Sequence, residues 1–171
     1  MRERLLKIRL VLLDVDGVLT DGRIVYDANG VETKFFDVKD GHGIKLLQSA
    51  GIGVGIISAR CSEVVKVRAA ELGIEHLHQK IRNKLEPYRQ VLAETGLSDE
   101  QVAFMGDDIQ DLPLLTRVGF AAAPCDAVTD ILGHVHFVTR NRGGRGAVRE
   151  VCDLILKEQG LWERVTEAYY R

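Results

Sequence analysis

The sequence holds only three cysteines, Cys61, Cys125 and Cys152, far apart and without ligand-spaced partners. An odd and scattered set excludes a disulfide framework and fits reduced thiols in a cytoplasmic protein. No segment approaches the roughly 18 apolar residues that a membrane span requires. The basic start precedes an apolar stretch, as in a leader, but that stretch meets Asp14 and Asp16 and offers no small-residue cleavage site. A soluble intracellular protein is therefore expected, with no membrane partner. Charge of one sign is also lacking: a formal net charge of −2 gives no general reason to expect nucleic acid. No glycine-rich run ends in Gly-Lys-Ser/Thr, so a nucleotide phosphate loop is missing and hydrolysis is favoured over nucleotide-driven transfer. Repeats, low-complexity tracts and linkers are absent too, and residues 1–171 read as one domain, long enough for a genuine core.

What is present alternates. Ile8 to Val15 is a short, nearly continuous apolar run of the kind buried on both faces of a sheet. Gly51 to Ser58, Ile74 to His78, Gln101 to Gly106 and Val118 to Ala123 read alike, with His134 to Val138 as a weaker sixth strand. Helical patterns fall between them at Gly43–Ala50, Ser62–Leu72, Lys84–Thr95 and Asp108–Arg117, then at Gly144–Lys157 and Leu161–Tyr170. Gly51, Gly73 and Gly96 follow three of these, where helices commonly end. The order predicts an α/β, Rossmann-like and mostly parallel sheet sandwiched by helices, with a crevice at the strands' carboxyl ends. One insertion, residues 20–38, breaks the alternation: two extended stretches flank Asp27-Ala28-Asn29-Gly30, a hairpin signal. Ile24, Tyr26, Val31, Phe35 and Phe36 make it apolar on more than one face, so it packs on its own sheet or on hairpins of other subunits.

Chemistry concentrates at the strand ends. Asp14 and Asp16 emerge from the first strand into the expected crevice, where they cap a turn or, joined by a cation, work as a pair. Hard carboxylate oxygens suit Mg²⁺. Asp14 is then a candidate nucleophile toward phosphorus, and Asp16 a candidate acid and base. Later strand ends supply partners: Ser58 for a phosphate oxygen, and Asp107 as a further metal ligand. Asp108 and Asp111 are candidates for holding metal-bound water or orienting a lysine, and Lys84 is the cation to pair with Asp14 and the phosphoryl group.

Asp-Val-Asp-Gly-Val-Leu-Thr (14–20), Ile-Ser-Ala-Arg (57–60), Asn-Lys-Leu (83–85) and Gly-Asp-Asp-x-x-Asp (106–111) occur in the order found in the haloacid dehalogenase superfamily, which the chain resembles. Nearly the whole chain is similar to a branch of it that dephosphorylates acidic sugars. The added marks are the hairpin, Asp37-Val38-Lys39-Asp40-Gly41, and the run from Thr139 through the Gly-Gly-Arg-Gly stretch to Asp153. The resemblance implies Asp14 as nucleophile, Asp16 as acid and base, and Mg²⁺ held by Asp14, the Asp16 backbone carbonyl and Asp107. It also implies a homotetramer whose subunits help to cover each other's sites. Ala59 departs from the usual glycine between serine and arginine; were a positive φ needed there, alanine would add strain of about 1 kcal/mol.

Substrate choice needs other residues. Arg60 is placed to pair with a sugar-acid carboxylate, Arg68 lies two turns further along the same helix, and Lys45 follows the Asp37–Gly41 loop, whose backbone and Asp40 face sugar hydroxyls. The resemblance puts all of these near substrate. The expected substrate is the 8-phosphate of an eight-carbon deoxy sugar acid on the way to lipopolysaccharide. A nine-carbon 9-phosphate is the rival, disfavoured by Arg60, and a non-catalytic assembly module is the rival of another class. The paired histidines 76/78 and 134/136 lack a third zinc ligand. The arginines at 140, 142, 145 and 149 lack interleaved aromatics, which argues against nucleic-acid binding.

Overall fold

The computed structural model describes residues 1–171. Along the chain run α1 (Arg2–Leu5), β1 (Leu10–Leu13), β2 (Val25–Tyr26), β3 (Glu32–Thr33), α2 (Val38–Ser49), β4 (Gly53–Ile57), α3 (Glu63–Leu72) and β5 (His76–His78). Then follow α4 (Leu85–Thr95), β6 (Val102–Met105), α5 (Leu112–Leu115), β7 (Phe120–Ala123), β8 (Phe137–Val138), α6 (Ala147–Glu158) and α7 (Trp162–Thr166). Six strands form one sheet in the order β5-β4-β1-β6-β7-β8, with every neighbouring pair parallel. No helix is long and apolar enough to cross a membrane.

β1 sits centrally because all four of its residues are apolar and both faces are covered. Val11 and Leu13 pack with Ile44 and Leu47 of α2 and with Val151 and Ile155 of α6. Leu10 and Leu12 face the other way, toward Tyr88, Val91, Phe104 and Leu114. Each such side chain contributes about 1.5–3 kcal/mol on leaving water. The register sets Leu13 beside Ile56 of β4 and Met105 of β6, so the three strands end level and deliver Asp14, Ser58 and Asp107 to one rim.

Local signals fix the connections. Ser62 is extended and its side chain accepts from Val65 N, starting α3, and Gly73 closes it at φ 67°. Gly51 and Gly96 likewise have positive φ, as their helix-ending positions require. Elsewhere the bounds differ from expectation. Asp108–Arg117 is a 3-10 turn followed by one turn of α5, because Asp108 caps the turn on Ile109 N and Pro113 sits in the first turn of α5. The helix expected over Gly144–Lys157 begins at Ala147, since Gly144 and Gly146 are left-handed.

Asp37–Gly41, expected as a loop, has a different backbone. It is the start of α2, with Asp37 as the cap, its side chain accepting from Lys39 N. Asp40 then points inward, 1% exposed, and accepts from Gly146 N at 3.3 Å and Arg149 N at 2.8 Å. It caps α6 from another helix and faces no open site. Burial pushes its carboxyl up to about 6, outweighing the two amides. A free aspartate titrates near 4, so the folded chain holds the extra proton between about pH 4 and about pH 6, and stability from this group falls as pH rises through that window. In thermal unfolding, the advantage of the native chain over Asp40→Asn should therefore shrink between about pH 4 and about pH 7; a constant or growing difference would contradict the assignment.

Candidate active site

Lys84, only 2% exposed, stands just before α4 and reaches the end of β1. Its Nζ lies 2.9 Å from Asp14 Oδ2 and 2.5 Å from Asp111 Oδ1. Burial alone would lower the ammonium's pKa, but the two carboxylates outweigh it and raise it, so it stays charged. Asp14 is pushed up to about 6, chiefly by burial and partly by Asp111, with Lys84 opposing. Its second oxygen accepts from Val15 N at 2.7 Å.

Asp111 is spent on scaffolding. Besides Lys84 it accepts from Asp107 N and Asp108 N, at 2.9 and 3.3 Å, which fixes the loop after β6. Of the two roles open to Asp108 and Asp111, orienting the lysine falls to Asp111. Asp107 is different: its Oδ1 is buried with no hydrogen-bond partner. Its carboxyl rises to about 7 through burial and then through the charges of Asp14, Asp111 and Asp108. Asp14, Asp107 and Asp111 each offer an oxygen within 4.8 Å of one another. Three carboxylates against one ammonium leave two negative charges over, and one carboxylate oxygen is orphaned. A divalent cation fits that deficit.

Gly17 makes the cluster possible. Its φ is +86°, and a Cβ there would lie 2.0 Å from Asp107 Oδ2. The glycine-rich stretch packs on the same loop: Gly144 N donates to Val18 O at 2.9 Å, and a Cβ on Gly143 would meet Gly17 O at 1.8 Å. Within this chain it buttresses the Asp14–Thr20 loop.

Ser58, 3% exposed, ends β4 at the same rim. Ala59 needs no left-handed backbone, because Lys80 is the one non-glycine residue with positive φ, so no strain arises there. Asp16 points toward the hairpin, where Lys34 Nζ meets its Oδ1 at 2.5 Å and Arg60 Nε lies 3.5 Å from its Oδ2. Arg60 Nη2 also donates to Tyr26 Oη at 3.1 Å and Glu32 Oε1 at 3.0 Å. The apolar content of the hairpin masks Lys34, Glu32 and Tyr26 as site residues in the sequence. The alternation Glu32-x-Lys34, which puts two charges on one strand face, was the available signal.

The remaining candidates spread out. Asp37 and Val38 line a depression of about 360 Å³ between the hairpin base and Gly144. Lys39 belongs to a basic cavity of about 460 Å³ with Arg140, Arg145 and Arg149, on the outer side of β8 and α6. Gly41 is buried in α2 against Arg68, whose guanidinium lies 5.7 Å over the Phe36 ring. Lys45 donates to Leu72 O at 2.7 Å, beside the amino ends of β1 and β4, on the far side from the acidic rim. The chain's own fold therefore gathers Asp14, Asp16, Ser58, Arg60, Lys84, Asp107, Asp108 and Asp111, and leaves Lys39, Asp40, Gly41, Lys45 and Arg68 outside.

A parallel sheet whose central strand ends in a paired aspartate, facing a buried lysine and a second acidic strand end, is the arrangement of the haloacid dehalogenase-like hydrolases, and the model of that family matches residues 55–151. The 3-deoxy-D-manno-octulosonate 8-phosphate phosphatase of Yersinia pestis is 46% identical over 164 residues, covering 96% of this chain and 88% of that protein. The Escherichia coli K12 enzyme of the same name is 47% identical, covering 90% and 81%. The crystal structure of the Moraxella catarrhalis phosphatase, in complex with a magnesium ion, a phosphate ion and a KDO molecule, superposes with a TM-score of 0.96 at 37% identity, covering 98% of this chain and 97% of that one. Within the hydrolase class, the chain belongs to the family of 3-deoxy-D-manno-octulosonate 8-phosphate phosphatases.

Gly17→Ala tests the packing of the two acidic loops. It should displace Asp107, raise the Mg²⁺ concentration needed for half-maximal activity, and lower kcat/KM by about tenfold or more. An unchanged Mg²⁺ titration would show that Asp107 does not depend on this contact.

Proposed function

We propose that this chain hydrolyses 3-deoxy-D-manno-octulosonate 8-phosphate to the free sugar acid and phosphate through a phosphoryl group carried on Asp14. The observation that carries the reading is the buried triad at the strand ends: Asp14 and Asp111 clasped by Lys84, with the orphaned oxygen of Asp107 beside them. Asp14 attacks phosphorus, the bond from phosphorus to the sugar oxygen breaks, and Asp16 gives that oxygen its proton. Asp16 then takes a proton from the water that attacks phosphorus, which frees phosphate and restores Asp14. Lys84 and Ser58 hold the phosphoryl oxygens, with Lys84 also fixing Asp14. Asp14, the Asp16 backbone carbonyl and Asp107 would hold Mg²⁺, with Asp108 and Asp111 behind them, and the bound ion would neutralise charge on the transferring group.

Arg60 is assigned to the sugar-acid carboxylate, because its guanidinium lies beside Asp16 on the hairpin side of the rim. That assignment favours the eight-carbon ester over a nine-carbon one. Homotetramer assembly belongs to the same proposal. The hairpin exposes Ile24, Val31 and Phe35 by 44%, 59% and 60%, apolar area suited to burial against copies of itself. Arg68, lying over Phe36 on the hairpin's flank, then faces a neighbour. Three unpaired cysteines suit a cytoplasmic, single-domain enzyme.

Purified protein with Mg²⁺ should release phosphate from the eight-carbon ester with the higher kcat/KM, and Asp14→Asn should reduce turnover to background while the mass in solution stays that of the assembly. Preference for the nine-carbon ester would overturn the substrate, and undiminished turnover by Asp14→Asn would overturn the nucleophile. Phe35→Glu should lower the mass seen by light scattering to that of a smaller species; an unchanged mass would refute assembly through the hairpin.

A further inference from the structure

The hairpin reverses the usual placing of side chains. Its apolar residues Val31 and Phe35 are left 59% and 60% exposed, while the Lys34 side chain is 1% exposed. Lysine is among the residues least often buried, and an ammonium leaves water only where carboxylates replace the lost hydration. Lys34 has two: Asp16 Oδ1 at 2.5 Å and Glu32 Oε1 at 3.4 Å. That same Glu32 oxygen accepts from Arg60 Nη2 at 3.0 Å. Arg60 Nε lies 3.5 Å from the other Asp16 oxygen. The Asp16 carboxylate is therefore held by one oxygen on Lys34 and flanked at the other by Arg60, with Glu32 linking the two cations. Packing gives no reason for a lysine here, since an apolar side chain would fill the same buried space without a charge to satisfy.

We propose that Lys34 is a positioning residue for proton transfer: it holds one oxygen of the Asp16 carboxyl so that the proton on the other meets the departing sugar oxygen. The proposal rests on the assignment of Asp16 as the acid. In the step concerned, the phosphorus–oxygen bond to the sugar breaks, its electron pair takes the Asp16 proton to form the sugar hydroxyl, and the phosphoryl group passes to Asp14. The hairpin thereby acts on the chemistry of its own chain through Lys34, separately from any contact it makes with another subunit.

Leaving groups distinguish positioning from scaffolding. A sugar alkoxide must be protonated as it departs, whereas 4-nitrophenolate departs without a proton. Wild type, Lys34→Met, Lys34→Arg and Asp16→Asn are compared with enzyme in excess and Mg²⁺ present. The readout is the first release of sugar from 3-deoxy-D-manno-octulosonate 8-phosphate and of nitrophenolate from 4-nitrophenyl phosphate. Lys34→Met should slow sugar release on the order of tenfold to a hundredfold. Nitrophenolate release should stay within about twofold of wild type, and Lys34→Arg should recover most of the sugar rate. Equal losses on both esters, or no loss on either, overturn the proposal. If the Met variant does not fold, judged by circular dichroism, Lys34→Gln carries the same comparison. Asp16→Asn should lose sugar release by a larger factor than it loses nitrophenolate release. If it does not, the assignment of Asp16 has failed, which is a separate result from a failure of Lys34.

Discussion

One buried ammonium ties the site together. Lys84 lies between carboxylates from the end of β1 and from the turn after β6, and each contact is within 3 Å. A charged group without such partners would be strongly unfavourable there, and so would the carboxylates without the lysine. The fold and the site are for this reason one problem: the sheet register that sets Leu13 beside Met105 is also what lets Lys84 reach both acids. The balance is left deliberately uneven. Asp107 joins the group with an unpartnered oxygen, so the site completes itself only with a cation and an anionic substrate.

Around this fixed centre the work is divided. In the proposed mechanism the strand ends carry the groups that act on phosphorus, which every phosphate ester shares. The hairpin reaches the groups on the substrate's side, through Tyr26 and Glu32 on Arg60 and through Lys34 on Asp16. It is too small to enclose a site alone, and its bare apolar face suits a neighbour that would finish the wall and exclude water. On that proposal, selectivity and proton transfer both depend on the same short insertion.

The alternation of strands and helices, the doubly buried first strand and the acidic strand ends were legible in the sequence because each rests on local pattern: apolar runs, helix-ending glycines, and aspartates just past a strand. Asp40 was not legible. Its role depends on α6, more than a hundred residues away, and a motif read as a loop was the first turn of a helix. The place of Lys45 within the chain follows from the same helix, since α2 begins at Val38 and its course carries Lys45 toward the amino ends of the strands. Lys34 escaped notice because lysine on a hairpin ordinarily means a solvated surface, and only the approach of Asp16 and Glu32 makes it a buried cation.

The central claim is that phosphorus is captured on Asp14. It is tested most directly by mixing the enzyme with substrate and Mg²⁺, quenching in acid within one turnover, and locating phosphoryl mass in peptides of the digest. The account predicts a transient phosphoryl group on the peptide containing Asp14, at that residue, decaying as phosphate appears. Phosphate formed at full rate with that peptide unmodified at every time point would mean that water attacks the ester directly, and would contradict it.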